Sequence, residues 1–299
     1  MQDINQATIV FDVQGIRVLN LALAAVMFGV ALGITVTDFK KLFRTPNLLF
    51  AGFLSQFVLL PLVTFLLVSM LKPEPGIALG MFMVAACPGG NVSNFMTHLA
   101  KGNAALSVSL TAFATVLALF FTPFNFEFYG SLYPPTAPML KAISIAPQAL
   151  FEVVLLILGI PLMLGMLVRH YYKATALRLS RIFKPVSILV FLSIIVLAFA
   201  RNTGVFSQFI HAVLFIGIAH NFVALALGYM VAKLFTSAKE NIKTLTLETG
   251  IQNSGLGLLL IFTFFNGLGG MALLAAFWGI WHILSGLTLA FWWSKNGKA

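Results

Sequence analysis

Apolar runs close to 20 residues long recur from one end of this 299-residue sequence to the other, and they leave few folds open. An α-helix of about 20 residues is as long as the hydrocarbon core of a bilayer is thick, about 30 Å. With 60% hydrophobic residues, 30 Phe, 9% charged residues and a mean hydropathy of +1.00, the composition excludes a soluble globular domain. The pattern predicts an all-α integral membrane protein of about nine transmembrane helices, near residues 15–37, 48–71, 76–99, 104–126, 142–168, 184–200, 206–234, 243–265 and 269–293. Connectors are about 15 residues at most and carry turn residues such as Pro134, Pro135 and Pro138. Residues 1–299 therefore read as a single transmembrane unit.

Charge sets the expected orientation. With the N-terminus outside and the C-terminus cytoplasmic, 14 of the 18 Lys and Arg face the cytoplasm, leaving Arg17, Lys72, Lys141 and Arg201 outside. The net charge of +10 thus reports topology rather than a nucleic-acid surface. Trp292 and Trp293, just before Lys295, suit an interfacial anchor. No basic n-region precedes the first span, so no removable signal peptide is expected, and a bacterial inner membrane is the expected location. Cys87 is the sole cysteine, which excludes an internal disulfide.

Two spans are interrupted near their midpoints by polar, helix-breaking residues. One carries Cys87-Pro88-Gly89-Gly90-Asn91-Val92-Ser93-Asn94, the other Glu248-Thr249-Gly250-Ile251-Gln252-Asn253-Ser254-Gly255. Backbone groups freed by such breaks find no partner in hydrocarbon, so they mark places buried in protein or lining water. Glu248 is the carboxylate to explain, because a charge at the bilayer centre costs about 3 kcal/mol or more. A protonated Glu bonded to a neighbouring helix would leave the adjacent Gln252, Asn253 and Ser254 without purpose, whereas carboxylate, amide, hydroxyl and carbonyl oxygens together suit a hard cation such as Na⁺. Ser107 and Thr111 are four apart and share a helix face from which Ser109 is excluded. Such hydroxyls commonly bond their own helix, and beside a break they gain a second use as ligands. Glu152, nearer the outer end of its span, reads as a vestibule or neutral residue, and His211 and His220 as structural or pore-edge residues.

The two breaks fall in spans of opposite direction, the pointer to an inverted-repeat transporter with two discontinuous helices. Carbonyl ends would hold cations, and helix N-termini beginning near Asn91 and Gln252 would face an anion. Proton coupling through Glu248, or an oxyanion exporter on the same frame, is the alternative. An intramembrane enzyme lacks support, since no His-Glu-x-x-His or Gly-x-Ser-x-Gly element is present.

The first motif with Lys101-Gly102-Asn103 and the Ser107/Thr111 face, together with the second motif, resembles the bile acid:sodium symporter family in span order and spacing from about residue 18 to 293. The resemblance implies a panel domain and a core domain, the core helices lying at about 76–126 and 206–265, with two unwound helices crossing near the midplane. It places Ser93, Asn94, Ser107, Thr111 and Glu248 at a first sodium site. Gln56, Glu248, Thr249, Ile251 and Gln252 fall at a second, Thr249 and Ile251 through backbone carbonyls. Asn91, Asn253, Ser254 and His282 are the candidate substrate contacts, although His282 also suits simple packing. Nine spans stand where bacterial members have ten, and Trp281-His282-Ile283 replaces their frequent His-Asn, which leaves substrate identity open. Two Na⁺ and one monoanion would carry a net positive charge inward, with no nucleic-acid partner and no obligate protein partner evident.

Overall fold

The computed structural model describes residue 4 and residues 13–90, 92–143 and 147–296; there the chain is helical, apart from one isolated bridge between Gly89 and Gln252. It opens with α1 (Val13–Ala31) and a short amphipathic helix α2 (Val36–Phe43). Thr35 starts α2, its backbone N–H and hydroxyl both donating to the Asp38 carboxylate at 2.8 and 2.7 Å.

Helix α3 (Pro46–Phe53) runs through a π-helical turn (Leu54–Leu59) into α4 (Leu60–Leu71). Pro61 explains the turn. Lacking an N–H, it cannot bond the Phe57 carbonyl four residues back, so the ladder slips by one residue and Leu60 N–H bonds Ser55 instead. Asn125, from a different helix, donates to the freed Phe57 carbonyl at 2.9 Å. The same arrangement recurs before Pro161, where α9 (Pro147–Val154) passes through a π turn (Leu155–Gly159) into α10 (Ile160–Tyr171).

The first interrupted pass is α5 (Pro75–Ala86) followed by α6 (Val92–Leu99). Next come α7 (Ala104–Leu132) and the short α8 (Ala137–Ile143). Beyond α10 lie α11 (Lys173–Arg201) and α12 (Thr203–Phe235). The second interrupted pass is α13 (Lys239–Gly250) with α14 (Ser254–Phe264), and α15 (Gly269–Asn296) ends the described chain. Among the described residues, five stretches are long and apolar enough to cross a membrane: Pro46–Leu71, Ala104–Leu132, Gln148–Tyr171, Phe206–Phe235 and Gly269–Asn296. Shorter apolar helices supplement them, as expected of broken passes.

Among the described residues the helices fall on the expected spans, the two broken passes in two pieces each, and the other differences lie at the ends: α1 closes at Ala31 rather than near residue 37. Helix α11 starts at Lys173 rather than near residue 184, because Lys173–Lys184 is rich in good helix formers but too basic to register as apolar. Helix α7 continues to Leu132 with Pro123 inside it.

Packing follows from small residues and broken passes. Helix α15 lies along α5 so closely that a Cβ on Gly270 would sit 2.8 Å from the Gly76 carbonyl carbon and one on Gly80 3.0 Å from Met271 Cα. Helix α12 lies along α13, while the α3–α4 helix touches α5, α12 and α13. On the other side α1 packs against α10 and α11. Outward faces are apolar: Phe120, Phe124 and Phe128 project from α7 at 49–62% exposure, as lipid contact requires. Glu152 is exposed and accepts from Gln148 at 3.1 Å, and His211 is exposed. His220 is buried, bonded to Thr64 at 2.8 Å and packed 4.5 Å from the Trp278 ring, in keeping with a structural role.

Candidate cation and substrate site

The two breaks are bonded to each other. Gly90 N–H donates to the Ile251 carbonyl at 2.7 Å and Asn253 N–H to the Pro88 carbonyl at 2.8 Å. The strands of this crossing touch so closely that a Cβ on Gly90 would lie 2.9 Å from the Gln252 carbonyl oxygen. Glycine is therefore required there, for space rather than for unusual dihedrals. New helices start on the far side: the Asn253 side chain caps α14, accepting from Leu256 N–H at 3.1 Å. Asn103 caps α7 in the same way at 3.0 Å, which fixes the register of its hydroxyl face.

That register aims Ser107 and Thr111 at Glu248. Ser93 and Ser107 donate to Oε1 of its carboxylate, and Thr111 donates to Oε2 at 2.8 Å. Asn94 turns its Oδ1 into the same cluster, 2.8 Å from Ser107 Oγ and 3.3 Å from Thr111 Oγ1, and Thr97 Oγ1 stands 3.3 Å from Ser107 Oγ. Ser109 faces away and bonds the Ala105 carbonyl. All of these residues but Asn94 are buried, Glu248 completely. Each hydroxyl has a single proton, so three protons from Ser93, Ser107 and Thr111 face two carboxylate oxygens, an amide oxygen and the Thr97 hydroxyl. No Lys or Arg is bonded to Glu248 among the described residues. The cluster is rich in oxygen and short of positive charge, a donor set that fits a bare hard cation.

A second group lies across the break from it. Gln56, placed in the π turn of the α3–α4 helix, donates from Nε2 to the Glu248 carbonyl at 3.1 Å. Gln252 donates from Nε2 to the Thr249 carbonyl at 2.7 Å. Both amide oxygens, Gln56 Oε1 and Gln252 Oε1, are buried without a partner. A half-turn of either amide exchanges its nitrogen for its oxygen, so each can present a carbonyl to an ion arriving at the break. Thr249 uses its hydroxyl elsewhere, donating to Ser55 at 2.9 Å, so its oxygen in this group is the backbone carbonyl that accepts from Gln252.

With this geometry established, similarity to known proteins decides the class. Residues 20–209 match the Sodium Bile acid symporter family. The chain belongs to that family. It is also 34% identical over 280 residues to the sodium-dependent transporter YocS of Bacillus subtilis, a match covering 94% of this chain and 84% of that one. It is 32% identical to the chloroplastic sodium/metabolite cotransporter BASS2 of rice over 93% of this chain, spanning 64% of that relative. The ileal sodium/bile acid cotransporter of rabbit is 29% identical over 80% of this chain and 67% of its own. As a member of the family the chain is a multi-pass membrane transporter, not an enzyme.

Of the five residues expected at the first sodium site, the structure gathers Ser93, Asn94, Ser107 and Thr111 around the fifth, Glu248. Of those at the second, Gln56, Thr249 and Gln252 converge on the break, while the Ile251 carbonyl accepts from Gly90. The candidate substrate contacts are more scattered. Asn91 lies outside the described residues, Asn253 is engaged as a helix cap, and Ser254 Oγ is buried without a partner. His282 is buried on α15, one turn from Gly286, where a Cβ would lie 2.5 Å from Met96 Sδ and 2.7 Å from Ile251 Cδ1. Thr97, Ser55 and Asn221 were not anticipated. Asn221 carried the one available signal, an amide beside His220 in the middle of a largely apolar span.

Proposed function

We propose that this transporter moves an organic anion, bile-acid-like or a smaller carboxylate, by sodium-driven symport with alternating access. Sodium coupling follows from the family and from relatives named for sodium dependence. Two ions are proposed, one among Ser93, Asn94, Ser107, Thr111 and Glu248, the other among Gln56, Gln252 and the carbonyls of the second break. The observation that carries the reading is Glu248, a fully buried carboxylate at the crossing, ringed by hydroxyl and amide oxygens. Between them two Na⁺ outweigh one carboxylate by one charge, which an anionic substrate near Asn253, Ser254 and His282 neutralises.

The moving boundary is proposed to separate α1 and α9–α11 from the helices that embrace the breaks. Helix α15 and the α3–α4 helix lie outside the core ranges 76–126 and 206–265 that the resemblance implies, which leaves them to the panel; because they pack with α5, α12 and α13, they are proposed to move with the core instead. An N-terminus outside and a cytoplasmic C-terminus, on the Lys/Arg asymmetry, and location in a bacterial inner membrane complete the proposal. The test is uptake of a panel of bile salts and small carboxylates into proteoliposomes under an inward Na⁺ gradient. A negative interior should accelerate uptake, because one net charge gains about 2.3 kcal/mol per 100 mV. Uptake driven equally by K⁺, or indifferent to potential, would contradict it.

A further inference from the structure

The second break leaves four carbonyls, Glu248 to Ile251, beyond the regular ladder of α13, and in a membrane each must find a donor. Gln56 serves Glu248, Gln252 serves Thr249 and Gly90 serves Ile251. Gly250 has lost its helical partner, because Ser254 N–H turns to Gln252 instead. Its carbonyl is taken by Asn221 of α12, whose Nδ2 donates at 2.9 Å. Three carbonyls of this turn are thus covered by side-chain amides.

The three amides are not equivalent. Gln56 and Gln252 have unpartnered oxygens and lose nothing there by rotating. Asn221 has its Oδ1 held by the Ser285 hydroxyl of α15 at 2.6 Å, so rotation would break two bonds at once in a fully buried place. The same face of α12 grips the turn elsewhere: a Cβ on Gly250 would fall 2.2 Å from Leu225 Cδ2, and one on Gly228 2.8 Å from Thr249 Cβ. Ser285 Oγ also lies 3.2 Å from the carbonyl of His282, the candidate substrate contact.

Resting on the sodium-symport reading above, we infer that Asn221 and Ser285 are positioning residues for the second cation: they lock the Gly250 carbonyl, fix the neighbouring carbonyls, and tie that turn to α15. The two glutamines yield to the ion and Asn221 does not. Helix α15 is then joined to the ion site through a hydrogen-bonded side-chain pair as well as through its packing against Ile251. Movement of His282 on substrate binding is transmitted to the carbonyls that hold sodium.

The experiment is thermal unfolding of the purified protein titrated with NaCl, KCl and choline chloride, for wild type, Ser285→Ala, Ser285→Thr and Asn221→Leu. Losing the lock should raise the NaCl concentration for half-maximal stabilisation at least about threefold in Ser285→Ala and about tenfold in Asn221→Leu, one bond against two. Ser285→Thr, which keeps the hydroxyl, should stay within about twofold of wild type. If Asn221→Leu does not fold, the two Ser285 variants decide. A Ser285→Ala protein that melts earlier in choline but keeps the wild-type sodium midpoint would reduce the pair to structure and overturn the inference. A wild type that does not distinguish Na⁺ from K⁺ would overturn the sodium reading itself, and the inference with it.

Discussion

The two breaks solve the same problem with different chemistry. At the first, the Ala86 carbonyl is covered by the Thr122 hydroxyl at 2.8 Å, and the side chains beyond it, Ser93 and Asn94, contribute oxygens to the Glu248 cluster. At the second, backbone carbonyls line the break and side-chain amide nitrogens cover them. The first break supplies side-chain oxygens around a carboxylate; the second presents main-chain carbonyls behind three amides, of which Gln56 and Gln252 have a free oxygen and Asn221 is held at both ends. Sensitivity to mutation should therefore be governed by side-chain identity at the first and by geometry at the second.

The largest effect is expected where the two regions share a residue. Glu248→Gln keeps the size but removes the charge, and sodium-driven uptake should fall at least about a hundredfold, as losing a charged partner of buried oxygens implies. Activity near wild type would break the comparison at its hinge. Next is Gly90→Ala, whose new Cβ meets backbone rather than a movable side chain. It should lower unfolding stability by about 2 kcal/mol or more in a denaturation assay and weaken sodium binding at both sites. Ser93→Ala and Gln56→Leu sharpen the contrast: each should raise the sodium requirement about tenfold, in uptake measured against NaCl at constant ionic strength. Thr249→Val is expected to be mild, about threefold or less, because only its hydroxyl bond to Ser55 is lost while its carbonyl remains. A Thr249→Val effect exceeding that of Ser93→Ala would reverse the assignment of main-chain and side-chain roles.

Much of the fold was legible because lipid enforces a length and a composition on every pass. The breaks were legible for the complementary reason, that Gly89, Gly90, Gln252 and Asn253 have no business in hydrocarbon without a partner. Depth singled out Glu248 and helical periodicity put Ser107 and Thr111 on one face, the resemblance put the three at one site, and their convergence is seen in hydrogen bonds. Gln56 could not: in isolation it is one amide before a proline, and only the resemblance gave it a role. Its position depends on the π turn that Pro61 forces, a register shift that a regular 3.6-residue period does not contain. Asn221 and Asn125 escaped for a similar reason, since each answers a carbonyl left open in a different helix, and Ser285 escaped because it answers Asn221. Which orphan meets which donor is a property of packing. The substrate contacts are the least legible part, for Ser254 and His282 sit among residues that read as ordinary packing surface.

The central claim is that Glu248 and its ring of oxygens bind sodium, and the most direct test is thermal stability of wild type and Glu248→Ala in detergent, titrated with NaCl against matched KCl and choline chloride. A ligand that binds only the folded state adds RT ln(1 + [L]/Kd), about 2.7 kcal/mol at a hundredfold excess. The account predicts a rise in wild type that is specific for Na⁺ and absent from Glu248→Ala. Equal responses to Na⁺ and K⁺ in wild type, or a sodium-specific rise that survives in Glu248→Ala, would contradict it.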